Sequence, residues 1–134
     1  MSRKTTLTHE EEQLESAPTW LFENLQILSK LQELSTDWES SGAERPNQVA
    51  IKLARIVIMT LANIDFAPDY VDPSTDEGVC ISFRGGGRYA DIECFNTGEI
   101  LAGTQTEDGT TDIWELSDQE IHETISRLKI FISG

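Results

Sequence analysis

The stretch from Val79 to Cys94 constrains the fold more than any other part of the chain. Val79, Ile81 and Phe83 alternate with Cys80, Ser82 and Arg84; beyond Gly85-Gly86-Gly87 the alternation resumes, Ala90, Ile92 and Cys94 interleaving with Tyr89, Asp91 and Glu93. A period of two marks strands with one buried face. A two-residue turn at Gly86-Gly87, where positive φ is readily adopted, pairs Phe83 with Ala90, Ile81 with Ile92 and Val79 with Cys94. Every apolar side chain then falls on one face, whereas a slip of one residue mixes the faces. The same register sends Cys80 and Cys94 to opposite faces, which argues against a bond between them and reads both as small packing groups. The glycine run is a hairpin turn and not a phosphate loop, since it joins antiparallel strands, lacks the Lys-Ser/Thr ending and opens no helix.

Further strands flank this hairpin. Asp69–Asp72, bracketed by Pro68 and Pro73, reads as a short edge strand. Asn96-Thr97-Gly98 turns the chain into a strand near Glu99–Thr106, and Asp108-Gly109 makes a hairpin to Thr110–Leu116. A two-residue turn there sets Trp114 opposite Gly103 and Leu116 opposite Leu101, with the indole covering the bare glycine.

Elsewhere the apolar period is three or four. Leu21, Leu25, Leu28, Leu31 and Leu34 form one stripe and predict a helix from about Trp20 to Leu34 or Ser35. Pro46 and Asn47, suited to a first turn and a cap, start a second helix that runs to about Asn63. Its buried face is expected to hold Val49, Leu53, Ile56, Val57, Leu61 and Ile64, widened by Ile51, Ile58 and Met59. Ser117 as N-cap, Glu120 closing a capping box and Leu116 stapled onto Ile121 open the last helix, which buries Ile121, Ile125, Leu128 and Ile132. The expected fold class is α+β: an antiparallel meander of four or five strands, with N-terminal helices and a C-terminal helix packed on one face.

A length of 134 residues suits one core. Residues 1–17 are expected to form a mobile acidic segment or a short helix, and 18–134 a single domain. The charge balance narrows the partners: 24 acidic side chains against 10 basic ones give a net charge of −14. Such a chain repels phosphate backbones and anionic membranes and favours basic proteins. Two cysteines are too few for a disulfide scaffold, and the only histidines, His9 and His122, are too far from them in sequence for a zinc pattern. No apolar run approaches the roughly 18 residues of a membrane span. Arg3 and Lys4 lead into polar residues and not a signal core, so a reduced cytoplasmic setting is expected.

The connection between the first two helices carries Asp37-Trp38-Glu39-Ser40-Ser41-Gly42-Ala43-Glu44-Arg45-Pro46. This string resembles a group of small prokaryotic proteins of unknown function marked by a Trp-Asp-x-x-Gly-Ala-x-x-Pro pattern, with Glu39 standing where that group has Asp. The Asp76-Glu77-Gly78 approach to the hairpin and the order of elements resemble it more loosely. The resemblance implies an architecture, no enzymatic activity and no cofactor. Physically, Trp38 and Gly42 read as a structural lock, with Asp37 or Glu39 accepting hydrogen bonds from free amides where the next helix begins. The competing reading makes Trp38 an exposed anchor rimmed by carboxylates.

Asp91 and Glu93 share a strand face with Arg84, Tyr89 and Ser82, and Arg84 lies diagonal to Asp91, a geometry that suits a cross-strand ion pair. No histidine adjoins a nucleophile in sequence, so a Ser/His or Cys/His catalytic set has no support. The leading expectation is a non-catalytic protein, without cofactor or metal, that docks on a basic protein as an antitoxin, an immunity-type inhibitor or an accessory subunit of a defence complex. Its candidate partner-binding residues are Asp37, Trp38, Glu39, Arg84, Tyr89, Asp91 and Glu93, with Trp20 and Tyr70 as further aromatics to locate. One alternative is a metal-dependent hydrolase or nuclease using Asp91 and Glu93 with acids from Asp69, Asp72 or Asp76. Another is a self-associating structural protein, paired as a homodimer through the Asp69–Asp72 edge or the exposed sheet face.

Overall fold

The computed structural model describes residues 17–35 and 38–134, so the acidic segment, Ala17 apart, lies outside the described residues, as does Asp37. Helices α1 (Thr19–Leu31) and α2 (Gln48–Asn63) precede strands β1 (Tyr70–Ser74), β2 (Gly78–Gly85), β3 (Arg88–Phe95), β4 (Ile100–Gln105) and β5 (Thr111–Leu116), and helix α3 (Ile121–Ser133) follows. The strands form one antiparallel sheet in the order β1-β2-β3-β4-β5. The helices cover one face: α2 and α3 cross β2 and β3, and α1 packs on α2 and β1.

The Gly86-Gly87 hairpin has the register that its alternation dictates. Phe83 pairs with Ala90, Ile81 with Ile92 and Val79 with Cys94, and both turn glycines have positive φ, 58° and 80°. Val79, Ile81, Phe83, Ala90, Ile92 and Cys94 are fully buried under the helices. The Phe83 ring stacks on Phe66 with centroids 4.3 Å apart.

The β4–β5 register differs from expectation by one residue: Trp114 pairs with Ala102, Leu116 with Ile100, and Gly103 with Ile113. The turn holds three residues, Glu107-Asp108-Gly109, with Gly109 at φ 89°. Asp108 fixes it, accepting hydrogen bonds from the Thr106 hydroxyl and, at 3.1 Å, from the Thr110 N–H. Because side chains alternate, the slip of one moves Trp114 to the helical side, where the Arg127 guanidinium sits 3.9 Å from its ring centre, and turns Ile113 outward.

Helix α1 buries Leu21, Leu28 and Leu31, with Leu25 and Leu34 half-buried against the core, but it ends at Leu31 and not at Leu34 or Ser35. The chain turns there with a Glu33 N–H to Lys30 bond, and Arg45 takes the Leu34 carbonyl at 2.7 Å. In α2 the buried stripe is Ala50, Ile51, Ala54, Val57, Ile58 and Leu61, while Val49 and Ile56 are exposed. Small alanines let the helix approach the sheet closely, so the stripe centres on them and leaves two larger residues outside. Asn47 caps α2 by accepting from the Ala50 N–H at 3.0 Å, and Lys129 of α3 donates to the Ile64 carbonyl at its far end at 2.6 Å. The capping box at Ser117 and Glu120 is present, though a 3₁₀ turn, Asp118–Glu120, comes before α3. Edge strand β1 includes Pro73, tolerated because among the described residues only one side of that strand is paired. Among the described residues no helix is long and apolar enough to cross a membrane.

Candidate functional site

Among the described residues all three helices lie on one side of the sheet and none covers the other face, and the register decides what that face displays. One row across the strands is Tyr70, Ser82, Asp91, Gly103 and Ile113; the next is Asp72, Cys80, Glu93, Leu101 and Glu115. Tyr70, on edge strand β1, is 56% exposed and Ile113, on edge strand β5, 68% exposed, so the first row carries an exposed apolar side chain at each end. Between β1 and β3 the face sinks into a depression of about 600 Å³ floored by Cys80, Asp91 and Glu93 and walled by Tyr70, Asp72 and Ser74.

The two carboxylates at its base receive hydroxyl and thiol donors. Asp91 Oδ2 accepts from the Tyr89 hydroxyl at 2.9 Å and from the Cys80 thiol at a long 3.9 Å. Glu93 Oε2 accepts from the Ser74 hydroxyl at 2.7 Å. Burial raises the Asp91 pKa, although the Tyr89 and Cys80 bonds pull the other way. Burial also raises Glu93, the negative charges of Asp91 and Asp76 adding and the Ser74 bond opposing. Burial first, then the neighbouring carboxylates, pushes the Cys80 thiol up to about 12, and the same two causes raise Tyr89. Cys80 is thus held as a thiol, the reverse of an activated nucleophile. One ligand atom from each of Cys80, Asp91 and Glu93 lies within 4.8 Å of the others. Gly103 leaves room for this arrangement, since a Cβ there would stand 2.9 Å from Asp91 Oδ1.

The residues expected to act together occupy two places. Arg84, Tyr89, Asp91 and Glu93 share the open face, but the expected Arg84–Asp91 ion pair is replaced by Arg84 lying over the Tyr89 ring, 5.2 Å from its centre. The reason is register: Tyr89 is directly opposite Arg84, and its hydroxyl already holds Asp91. Trp38 and Glu39 sit in the α1–α2 connection. Glu39 does not cap α2; its carboxylate accepts from the Ser40 hydroxyl at 3.3 Å and the Ser41 N–H at 3.4 Å, within its own turn. Trp38 is half-buried, its indole N–H enclosed without a partner among the described residues. Trp20 is half-buried against the core and is no exposed anchor.

Sequence reasoning passed over Cys80, Ser74 and Gly103. The hairpin register already placed Cys80 opposite Glu93 on the polar face, so its reading as a packing group was the error; Cys94, fully buried, is such a group. Ser74 depended on β1 extending past Pro73, and Gly103 on the β3–β4 pairing that sets it opposite Asp91. No family model, curated protein or solved structure matches this chain, so the resemblance carried by Trp38–Pro46 rests on those residues alone.

Proposed function

We propose that the protein is a binding module whose open sheet face docks on a basic surface of another protein. One observation carries this reading: among the described residues no helix covers a sheet face that presents Tyr70 and Ile113 among Asp72, Asp91, Glu93 and Glu115, with Arg84 as the cation of the depression. A lysine or arginine entering the depression meets two carboxylates whose pKa values burial has raised, and its charge offsets that penalty. The exposed aromatic and aliphatic side chains supply the desolvated contacts, and the net charge of −14 steers encounter. A role as antitoxin, immunity-type inhibitor or accessory subunit would use such a surface.

The test is capture from native lysate by the wild type and by the near-isosteric Asp91→Asn/Glu93→Gln variant, at low and high salt. A basic protein retained by the wild type at low salt, and released by both the salt and the variant, supports the reading. Equal retention by the variant would sink it.

The spacing of Cys80, Asp91 and Glu93 favours a second reading, binding of a divalent transition metal such as Zn²⁺, which accepts a thiolate with carboxylates. Uptake would displace the Cys80 proton. Stoichiometric Zn²⁺ binding that releases a proton and disappears in Cys80→Ser supports it; titration without uptake removes it.

A further inference from the structure

We propose that a second copy of this chain pairs with the free edge of β5, joining two five-stranded sheets into one continuous sheet about a two-fold axis at Ile113. Among the described residues β5 is the last strand of the sheet and is hydrogen-bonded on one side only. Thr106 and Thr110 form a bonded pair at the turn, Thr106 N–H to Thr110 O at 2.9 Å. Antiparallel alternation from that pair directs the backbone groups of Asp112, Trp114 and Leu116 toward β4. The N–H and C=O groups of Thr111, Ile113 and Glu115 therefore point away from the sheet, and all three residues are exposed. β5 contains no proline, and its charged side chains are acids and not the lysines that commonly guard an edge. β1 differs: Pro73 interrupts its outer side.

The edge is self-complementary. With Ile113 facing Ile113 of the second copy, Thr111 falls opposite Glu115 and Asp112 opposite Trp114, so no acid faces an acid. Arg127 already lies over Trp114, 3.9 Å from its ring centre, and bonds Asp112 of its own chain at 3.1 Å. In the pair, Asp112 of the second copy arrives beside that same guanidinium, which then bridges both chains. The exposed Ile113 side chains cover each other at the axis. This association covers the Ile113 end of the open face and leaves the depression between β1 and β3, with Tyr70, Asp72, Asp91 and Glu93, free for a different partner. Mutual repulsion of two acidic chains opposes it, and salt strengthens it.

The experiment is sedimentation equilibrium over a concentration series at low and moderate salt, with amide exchange measured at both ends of the series. The expected result is a monomer–dimer equilibrium tightened by salt, with the Thr111, Ile113 and Glu115 amides slowed at high concentration. Ile113→Lys, which sets like charges across the axis, weakens dimerisation by about tenfold or more. Ile113→Pro removes an outward N–H and abolishes the dimer; should that variant fold poorly, Ile113→Lys alone decides. A single-chain mass throughout the series overturns the proposal. So does a dimer indifferent to Ile113→Lys, or one that slows amides of β1 and not of β5.

Discussion

Replacing Gly78 with alanine tests the packing that holds the open face together. Gly78 is the first residue of β2, opposite Ser74 in β1 and Phe95 in β3, and the left-handed position of the β1–β2 turn falls on the preceding Glu77, at φ 70°. A methyl at Gly78 would lie 2.1 Å from the Cys94 carbonyl oxygen and 2.8 Å from Phe95 Cα, both backbone atoms that no rotamer change can remove. Ordinary contact begins at 3.4 Å, so the strands must part by more than an ångström there. Parting them also strains the 2.8 Å bond from the Asn96 N–H to the Glu77 carbonyl. Overpacking costs about 1–3 kcal/mol, the upper end applying where backbone blocks the methyl, and a lost backbone bond adds about 1 kcal/mol. Gly78→Ala is therefore expected to cost about 3–4 kcal/mol, a large share of the roughly 5–15 kcal/mol typical of a domain. Gly103→Ala is the control, because the one close approach of its methyl is to the Asp91 carboxylate oxygen at 2.9 Å, which a side chain can relieve by turning aside, while the Asp112 carbonyl oxygen and Ile113 stand at an ordinary 3.7 Å; its cost should stay below about 1 kcal/mol. Urea unfolding followed by circular dichroism should show a midpoint lowered by on the order of 1–2 M for Gly78→Ala alone. A loss below about 1 kcal/mol at Gly78, or equal losses at both glycines, would refute the close-approach argument.

The raised pKa values of Asp91 and Glu93 set a pH dependence. Both groups bind protons more tightly folded than unfolded, so their contribution is most favourable below the unfolded carboxylate pKa and is lost as pH rises through the folded values. Asp91→Asn should thus stabilise the protein at neutral pH and flatten the stability profile on the acid side; a destabilised variant at neutral pH would contradict this. Asn47→Ala removes the α2 cap and the 3.1 Å bond from the Asn47 side-chain amide to the Asn96 carbonyl, while the 2.9 Å bond from the Asn47 backbone N–H to Asn96 Oδ1 stays, and should cost about 1–2 kcal/mol in the same urea assay. Cys80 and Cys94, both pushed up to about 12 chiefly by burial, should react slowly with a thiol reagent in the folded protein and together on unfolding. Rapid native labelling of Cys80 would show that its thiol is not held by the carboxylates.

The sheet was legible where sequence offered only one register. Gly86-Gly87 supports a two-residue turn, and the six alternating apolar residues around it tolerate no slip. Asp108-Gly109 was ambiguous, because Asp-Gly fits a two-residue turn and equally a longer one ending in a left-handed glycine. The flanks did not break the tie, since Ile113 and Trp114 are adjacent and either can be buried. The stripe of α2 was displaced for a related reason: hydrophobicity favours Val49 and Ile56, whereas close packing on the sheet selects Ala50 and Ala54. Half of the candidate site followed from the hairpin register. The rest required contacts between strands distant in sequence, such as Ser74 with Glu93 across the β1–β2–β3 surface.

The central claim, that the open sheet face is the docking surface, is tested most directly by carbodiimide footprinting of carboxylates with and without the captured partner. The account predicts loss of labelling at Asp72, Asp91, Glu93 and Glu115, with Glu39 and Glu123 labelled as before. Protection at Glu39 or along α3, with the open-face carboxylates still labelled, would contradict it.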